Sequence, residues 1–431
     1  MALLIPALAG SLLGASPAPE PVTLGQALTE ARAANAKLPI PAFDVAIARE
    51  KLKEARAERW LKVAVEGAFI YAPPSGYDPV VTNAGEFKLQ AVGRQPLYDG
   101  GARRAAVARA AAGVDAAAGR YRIEEKDLDL EVTSRFAESL AAQEEATARR
   151  SGISQLQSYR TNLKSRQASG QAVAADLFKT EVRLASEQAN ILEAERRADE
   201  ARITLTALMG RDPAQPPELA PLPAPDLSEP VPIADWESAP EVTAASADAR
   251  AADAALAAAR AERRPHLDLS ADVGFWGSDT SRLVPADLKA MDPNATLADR
   301  IRRDAGYSVS LVFSWPIFDF GAVRARVAQA DLELKQARQK IVVARSDVRM
   351  NWERARAALK TLAREIDLLR AAAPAARDAY LDAESRYRGG AGTALEMLDA
   401  YASSIDAAVR LSDALSRYCI ARALAARWGR P

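Results

Sequence analysis

The chain has 431 residues, with 57 Lys+Arg against 57 Asp+Glu, so its formal net charge is zero and no basic field marks it for nucleic acid. One cysteine, Cys419, excludes an intrachain disulfide framework and a cysteine-built zinc centre. With a single histidine, His266, and no phosphate loop or metal-ligand spacing, no catalytic constellation is legible, so the chain reads as a non-enzyme and no cofactor is expected.

Met1 to Ala15, "MALLIPALAGSLLGA", is apolar and followed by small residues. It reads as a secretory signal peptide ending near residue 18, although its n-region has no Lys or Arg. Later in the chain no window holds eighteen consecutive apolar residues, so no transmembrane helix is expected. The capping box Thr23-x-x-Gln26 predicts a short helix over 22–38.

From there the chain is duplicated. "ARAERW" at 55–60 matches "ARAERR" at 259–264; "QPLYDGGARRAAVARA" at 95–110 matches "WPIFDFGAVRARVAQA" at 315–330; and "SRQASGQAVAADLF" at 165–178 matches "SRYRGGAGTALEML" at 385–398. The first repeat, 19–210, begins with a helix over 43–60 rich in Ala, Glu, Lys and Arg. Strands near 62–71 and 86–95 follow, separated by a polar loop at 72–85 and stopped by Pro96. A helix over 101–166, a turn at Gly170 and a return helix over 173–210 complete it. The segment 211–240 is too proline-rich for a regular helix and reads as a linker. The second repeat, 241–431, has helix 241–264, strands 266–275 and 306–315, and a loop at 276–305. Pro316 is followed by helix 321–386, with a kink expected at Pro374, then Gly389 and Gly390, then helix 393–429. At about 1.5 Å per residue each long helix makes a rod of roughly 100 Å. Ala, Leu and Val fill the seams of these rods, and the abundance of Ala predicts close helix approach.

All four strands alternate. Leu267, Leu269, Ala271, Val273 and Phe275 oppose His266, Asp268, Ser270 and Asp272; Tyr307, Val309, Leu311, Phe313 and Trp315 oppose serines; Phe87, Leu89 and Ala91 oppose Lys88, Gln90 and Arg94; Val63, Val65 and Phe69 oppose Glu66. Each run is about the length that crosses a bilayer as a tilted strand. Aromatics cluster at the ends (Tyr71, Phe275, Trp276, Tyr307, Trp315), as in interfacial girdles. A soluble sandwich would also alternate, but four strands do not build one. In lipid every backbone polar group needs a partner, so a spanning sheet must close, and four strands are too few. Three copies pooling their strands would close an even-numbered barrel. Leu89, Leu267, Leu269, Val309, Leu311 and Phe313 are then expected to face lipid, and Glu66, Lys88, Arg94, Asp268 and Asp272 a wet lumen. The fold class expected is α+β, mainly α. A soluble periplasmic coiled-coil scaffold or adaptor is the alternative; it explains the rods but not the strands.

The start "VTLGQALTEARAANAKL", the signatures "PLYDGG" and "PIFDFG" and the hairpin "RYRGGAGTALEMLDA", in duplicated order, resemble the TolC-like outer-membrane efflux proteins. The resemblance implies a homotrimer: a 12-stranded transmembrane barrel continued by a periplasmic helical barrel, in the outer membrane of a Gram-negative bacterium. It would be the exit duct of a tripartite efflux or type I secretion system, with a periplasmic adaptor at the helical tips and an inner-membrane transporter supplying energy. It also implies gating roles for Asp176 and Tyr387, acidic rings from Glu396 and Asp399, and adaptor contact at Gly170, Gly389 and Gly390. The i, i+3 spacing of Glu396 and Asp399 puts both on one helix face, where repeated carboxylates would favour cations. Gly392 stands where the family has a latch arginine, so that salt bridge cannot form here. The mixed charges of the expected lumen face favour no cargo class.

Overall fold

The computed structural model describes residues 20–71, 85–169, 173–231, 235–278, 280 and 282–428. The expected signal peptide, most of the 72–85 loop and Gly170 lie outside them. The chain divides into two compact units, Met1–Pro39 with Ile123–Trp236 and Val348–Pro431, and Ile40–Arg122 with Glu237–Asp347.

The second of these carries the sheet. β1 (Lys62–Ile70), β2 (Glu86–Tyr98), β3 (His266–Ser278) and β4 (Ala305–Ser314) pair antiparallel in the order β1-β2-β3-β4. The register puts odd residues opposite odd ones up to the shift at Pro96, as in Val65↔Ala91, Ala91↔Val273 and Val273↔Tyr307. Directly opposed residues share a face, so the alternation of each strand adds up to one apolar and one polar surface. Helices α2 (Pro39–Ala57) and α5 (Pro240–Ala261) lead into β1 and β3. α3 (Ala102–Ala168) and α8 (Ala322–Arg388) follow β2 and β4. A β-carbon on Gly119 of α3 would stand 2.8 Å from the Ala244 β-carbon of α5, so here the small residues do set backbone-to-backbone contact.

In three places this unit departs from the sequence reading. Pro96 does not stop β2: the strand continues to Tyr98 through a register shift between Pro96 and Tyr98, a bulge that absorbs the missing N–H. The segment 276–305 is not a plain loop but holds α6 (Ala286–Met291) and α7 (Leu297–Asp304). A second capping box starts α7: Thr296 Oγ1 accepts the Asp299 N–H, and Asp299 Oδ2 accepts the Thr296 N–H. Leu297 and Ile301 of α7 meet Phe69, Phe87, Leu89 and Phe275 of the apolar sheet face around a pocket. Buried Arg300 ties the helix down, donating to Ser278 O at 2.8 Å and stacking 4.9 Å from the Phe87 ring centre. Finally, Trp276 lies opposite Lys88, on the polar face and not among the apolar aromatics.

The other unit is helical. α1 (Leu24–Ala34) begins at the Thr23–Gln26 capping box, and Arg32 grips Asp129 through two bonds of 2.7 Å. α4 (Ala174–Leu208) and α9 (Ala394–Ala426) are the return helices. In α8 the buried Ala355, Leu359, Leu362 and Ile366 recur in steps of three and four. They pack on Ala414, Tyr418, Ala421 and Ala425 of α9, a heptad seam. α8 passes through Pro374 without ending. The Pro-rich segment forms no regular helix but is docked: Val22 bridges Leu219, and Leu227 and Val231 pack on the α8–α9 seam. Cys419 is half-buried and burial pushes its thiol up.

Candidate functional site

The sheet supplies the first candidate surface. Leu89, Leu267, Leu269, Val309, Leu311 and Phe313 all stand on its apolar face, in register Leu269↔Leu311, Ala271↔Val309 and Leu267↔Phe313. Val63, Val65, Phe69, Tyr307 and Val309 are exposed, and a continuous exposed apolar surface of this size marks a protein or membrane contact. Glu66, Lys88, Arg94, Asp268 and Asp272 share the opposite face. Glu66 accepts from Arg94 at 2.9 Å and lies 4.0 Å from Lys88 Nζ; Ser308 donates to Asp272. The polar face is thus cross-linked by pairs whose exposed members contribute little stability but are at home in water. His266 sits at the start of β3 opposite Ser314.

Edges β1 and β4 each carry unpaired backbone N–H and C=O groups along one side.

The hairpin ends supply the second. α8 closes in a Schellman motif: Gly390 at φ 76° donates to Tyr387 O, and Ala391 donates to Arg386 O. Only a residue without a β-carbon adopts that φ at no cost. Gly392 donates to Arg386 O at 3.1 Å and is tightly packed, a β-carbon there standing 3.2 Å from Tyr387 N. Thr393 then caps α9 with Glu396 in a full capping box. Glu396 is therefore bent back on its own helix start, while Asp399 is exposed one turn on. Asp176 lies half-buried in the first turn of α4, where a carboxylate complements the helix dipole.

Tyr387 is held by α3. Its ring meets Tyr159 edge-on at 4.9 Å, and Arg166 donates to its hydroxyl at 3.4 Å with the guanidinium 5.7 Å from the ring centre. Burial, the adjacent Tyr387 hydroxyl and the charge of Asp176 together drive the Tyr159 phenol far above its ordinary range. Asp176 and Tyr387 thus flank the same buried tyrosine. Further along, Tyr380 donates to Gln155 at 2.7 Å and meets Tyr401 edge-on at 5.7 Å; burial pushes each of these two phenols up to about 12. Buried Glu187 of α4 accepts from Arg149 at 2.8 Å and lies 2.9 Å from Arg183, whose guanidinium lies 5.9 Å from the Tyr401 ring centre. Sequence reading missed Tyr159, Arg166, Tyr401, Arg149 and Glu187. Tyrosine spacing on α3 and α8 was the available signal, but the partners of Arg166 and Tyr380 sit more than two hundred residues away.

Among known proteins, the family model described as "Outer membrane efflux protein" matches residues 27–211 and 236–430. The pyoverdine export outer membrane protein OpmQ of Pseudomonas putida is 26% identical over 310 residues, 69% of this chain and 61% of that one. Protein CyaE of Bordetella pertussis is 31% identical over 254 residues, 56% of this chain and 48% of that one. The chain therefore spans about half to three fifths of the length of these relatives. Its fold is that of the CmeC outer membrane channel of Campylobacter jejuni, with a TM-score of 0.82 at 16% identity, covering 99% of this chain and 94% of that chain. The outer membrane protein VceC of Vibrio cholerae is similar at a TM-score of 0.79 and 18% identity, covering 94% and 96%. The two halves of the duplication are the two segments the family model matches, and the chain belongs to the outer membrane efflux protein family.

Proposed function

We propose that three copies of this chain form an outer-membrane exit duct, their sheets closed into one barrel and their helices continuing it through the periplasm of a Gram-negative cell. The carrying observation is the sheet. It has an apolar face continuous across four strands, a polar face of paired charges, and two edges that hydrocarbon would not tolerate unpaired. Closure through other copies removes both edges, puts Leu89, Leu267, Leu269, Val309, Leu311 and Phe313 against lipid, and leaves Glu66, Lys88, Arg94, Asp268 and Asp272 in water. The name of the OpmQ relative and the family description support export as the task; a periplasmic adaptor and an inner-membrane transporter, in an efflux or type I secretion assembly, are the partners such a duct would need. Nothing in the wall favours one charge class of cargo.

The hairpin ends act as the gate. Asp176 and Tyr387 bear on Tyr159, and Arg166 supplies the cation that Gly392 does not. Asp399 faces the aperture, with Glu396 beside it. Gly389 and Gly390 lie at the tip met by the adaptor.

The test is reconstitution. Purified from the outer membrane in mild detergent, the protein is expected to run as a trimer and to give discrete conductance steps in a planar bilayer. A detergent-free, monodisperse monomer from the soluble fraction would overturn this reading.

A further inference from the structure

The duplication gives the sheet two joints of the same kind, only one of which lies inside the chain. Inside, β2 pairs with β3, and the turn after β2 lies against the turn before β3. Gly100, at φ 66°, is pressed there: a β-carbon on it would stand 2.6 Å from the Arg264 β-carbon and 2.9 Å from Ala261 O. Arg264 donates to Gly100 O at 2.6 Å. In the repeat match, Gly100 corresponds to Phe320 and Arg264 to Trp60. The backbone is the same at both turns. Asp99 accepts from the N–H groups of Gly101 and Arg103 at 3.0 and 2.7 Å, and Asp319 accepts from those of Gly321 and Val323 at the same two distances. Phe320 holds φ 53°, the only described residue other than glycine with positive φ. A phenylalanine kept in that strained conformation meets the Phe318 ring edge-on at 4.6 Å and is still 92% exposed, with Ile317 at 85% and Trp60 at 73%, so most of this apolar surface is left open within one chain.

We infer that Phe320 and Trp60 are the two halves of an aromatic clasp between neighbouring copies, replacing the glycine–arginine clasp of the internal joint. Glycine is small where its partner is a hydrogen-bonding arginine; here both members are large, and two rings meet in place of a backbone contact. The same correspondence sets the register of the β4–β1 seam. Since Gly93 faces Ala271 and Ala91 faces Val273 internally, Phe313 faces Gly67 of the next copy and Leu311 faces Phe69. The bulky Phe313 on β4's apolar face falls opposite a strand residue with no side chain. This rests on the duct reading above for the existence of the seam, and adds its chemistry and register.

The test uses the full chain in a Cys419→Ser background. Trp60→Cys with Phe320→Cys, treated in outer membranes with a short bismaleimide, is expected to give covalent dimers and trimers on a denaturing gel, with neither single variant doing so. Independently, Phe320→Gly is expected to lower the temperature at which the detergent-solubilised trimer dissociates, and Phe320→Gly with Trp60→Arg, which rebuilds the internal joint, to recover at least half of that loss. An intact trimer that yields no cross-link, or a double variant no better than Phe320→Gly alone, overturns the clasp and leaves the duct standing. A parent protein that never forms a trimer overturns the duct itself.

Discussion

Gly152 of α3 and Tyr401 of α9 compete for one position: a β-carbon on Gly152 would stand 2.3 Å from Tyr401 Oη and 2.5 Å from the ring edge. Tyr401 is fully buried and its hydroxyl has no hydrogen-bond partner among the described residues, so the ring has nowhere inexpensive to go. Gly152→Ala is therefore expected to destabilise by about 1–3 kcal/mol through overpacking, despite alanine's better helix propensity. Gly113, in the same helix, meets nothing within 4 Å; Gly113→Ala should stabilise by roughly 0.5–1 kcal/mol. Thermal melts of the two variants should move in opposite directions, and a Gly152→Ala protein as stable as its parent would deny the close approach.

One helix turn from Arg183, whose guanidinium lies by the Tyr401 ring, Glu187 sits fully buried between Arg149 and Arg183. Removing one member of such a group leaves charge uncompensated in a poorly hydrated place. Glu187→Ala is expected to cost about 3–5 kcal/mol by that reasoning, well beyond the loss of an exposed pair such as Arg196 with Glu193, whose charges stay in water. Urea midpoints of Glu187→Ala and Glu193→Ala give the comparison; equal midpoints would show that Glu187 is hydrated in solution.

Much of the fold was legible because its periodicities are local. Odd-numbered apolar residues on four strands need no tertiary information, and the register then aligns them into one face. The long helices announce themselves by composition and the absence of breakers. Less was legible where a local signal is short or the partner is distant. The Thr296–Asp299 capping box and the eight residues of α7 sat inside a stretch that reads as polar loop. Thr393-Ala-Leu-Glu396 is also a capping box in plain sequence, so the bonding of Glu396 to its own helix start could have been read directly. Pro96 reads as a stop because proline removes a ladder donor; the bulge lets β2 continue. Tyr387 is recognisable by resemblance, yet its neighbours Tyr159 and Arg166 emerge only when α3 and α8 pack together.

The orientation of the sheet gives a sharp contrast between neighbouring positions. Leu269 stands on the apolar face opposite Leu311, whereas Ser310, one residue from Leu311, shares the face of Asp272. Leu269→Arg is expected to cost about 2–4 kcal/mol if the position lies near the bilayer midplane, and to lower the yield of membrane-assembled trimer. Ser310→Arg should assemble at parental yield, since the new charge faces water. Heat-modifiable trimer bands from outer-membrane fractions measure both, and equal yields would reverse the assignment of faces.

Asp99 closes the turn from β2 into α3. Its carboxylate lies below its ordinary range: burial opposes this, but bonds from the Arg103 side chain and the Arg103 and Gly101 amides outweigh it. A depressed folded-state pKa means that the native turn binds this proton less readily than the unfolded chain does. The stabilisation is thus fully present above the unfolded value near 4 and is lost as pH falls through the folded one. Asp99→Asn is expected to be less stable than the parent at pH 7 and to approach it as the pH falls through the folded-state value. Melting temperatures at pH 7, 5, 4 and 3 would show the two curves converging; parallel curves would remove the carboxylate's charge from the account.

At the hairpin end, two acidic residues three apart are expected to behave differently. Glu396 is engaged by the Thr393 N–H and helps begin α9, so Glu396→Ala should act mainly on the helix, at about 0.5–2 kcal/mol for a lost cap. Asp399 is exposed and its side chain makes no ion pair among the described residues; in the proposed duct its charge would act on ions passing the aperture. Asp399→Asn should leave the melting temperature within about a degree of the parent, since surface changes away from caps and cores cost little. It should also reduce the preference for cations over anions in planar-bilayer reversal potentials under a salt gradient. Glu396→Ala should show the reverse pattern, a lower melting temperature with a smaller change in selectivity. If Asp399→Asn leaves the reversal potential where it was, the ring lies elsewhere. The acidic face of α9 would then be a solvated helix surface and no part of the conduction path.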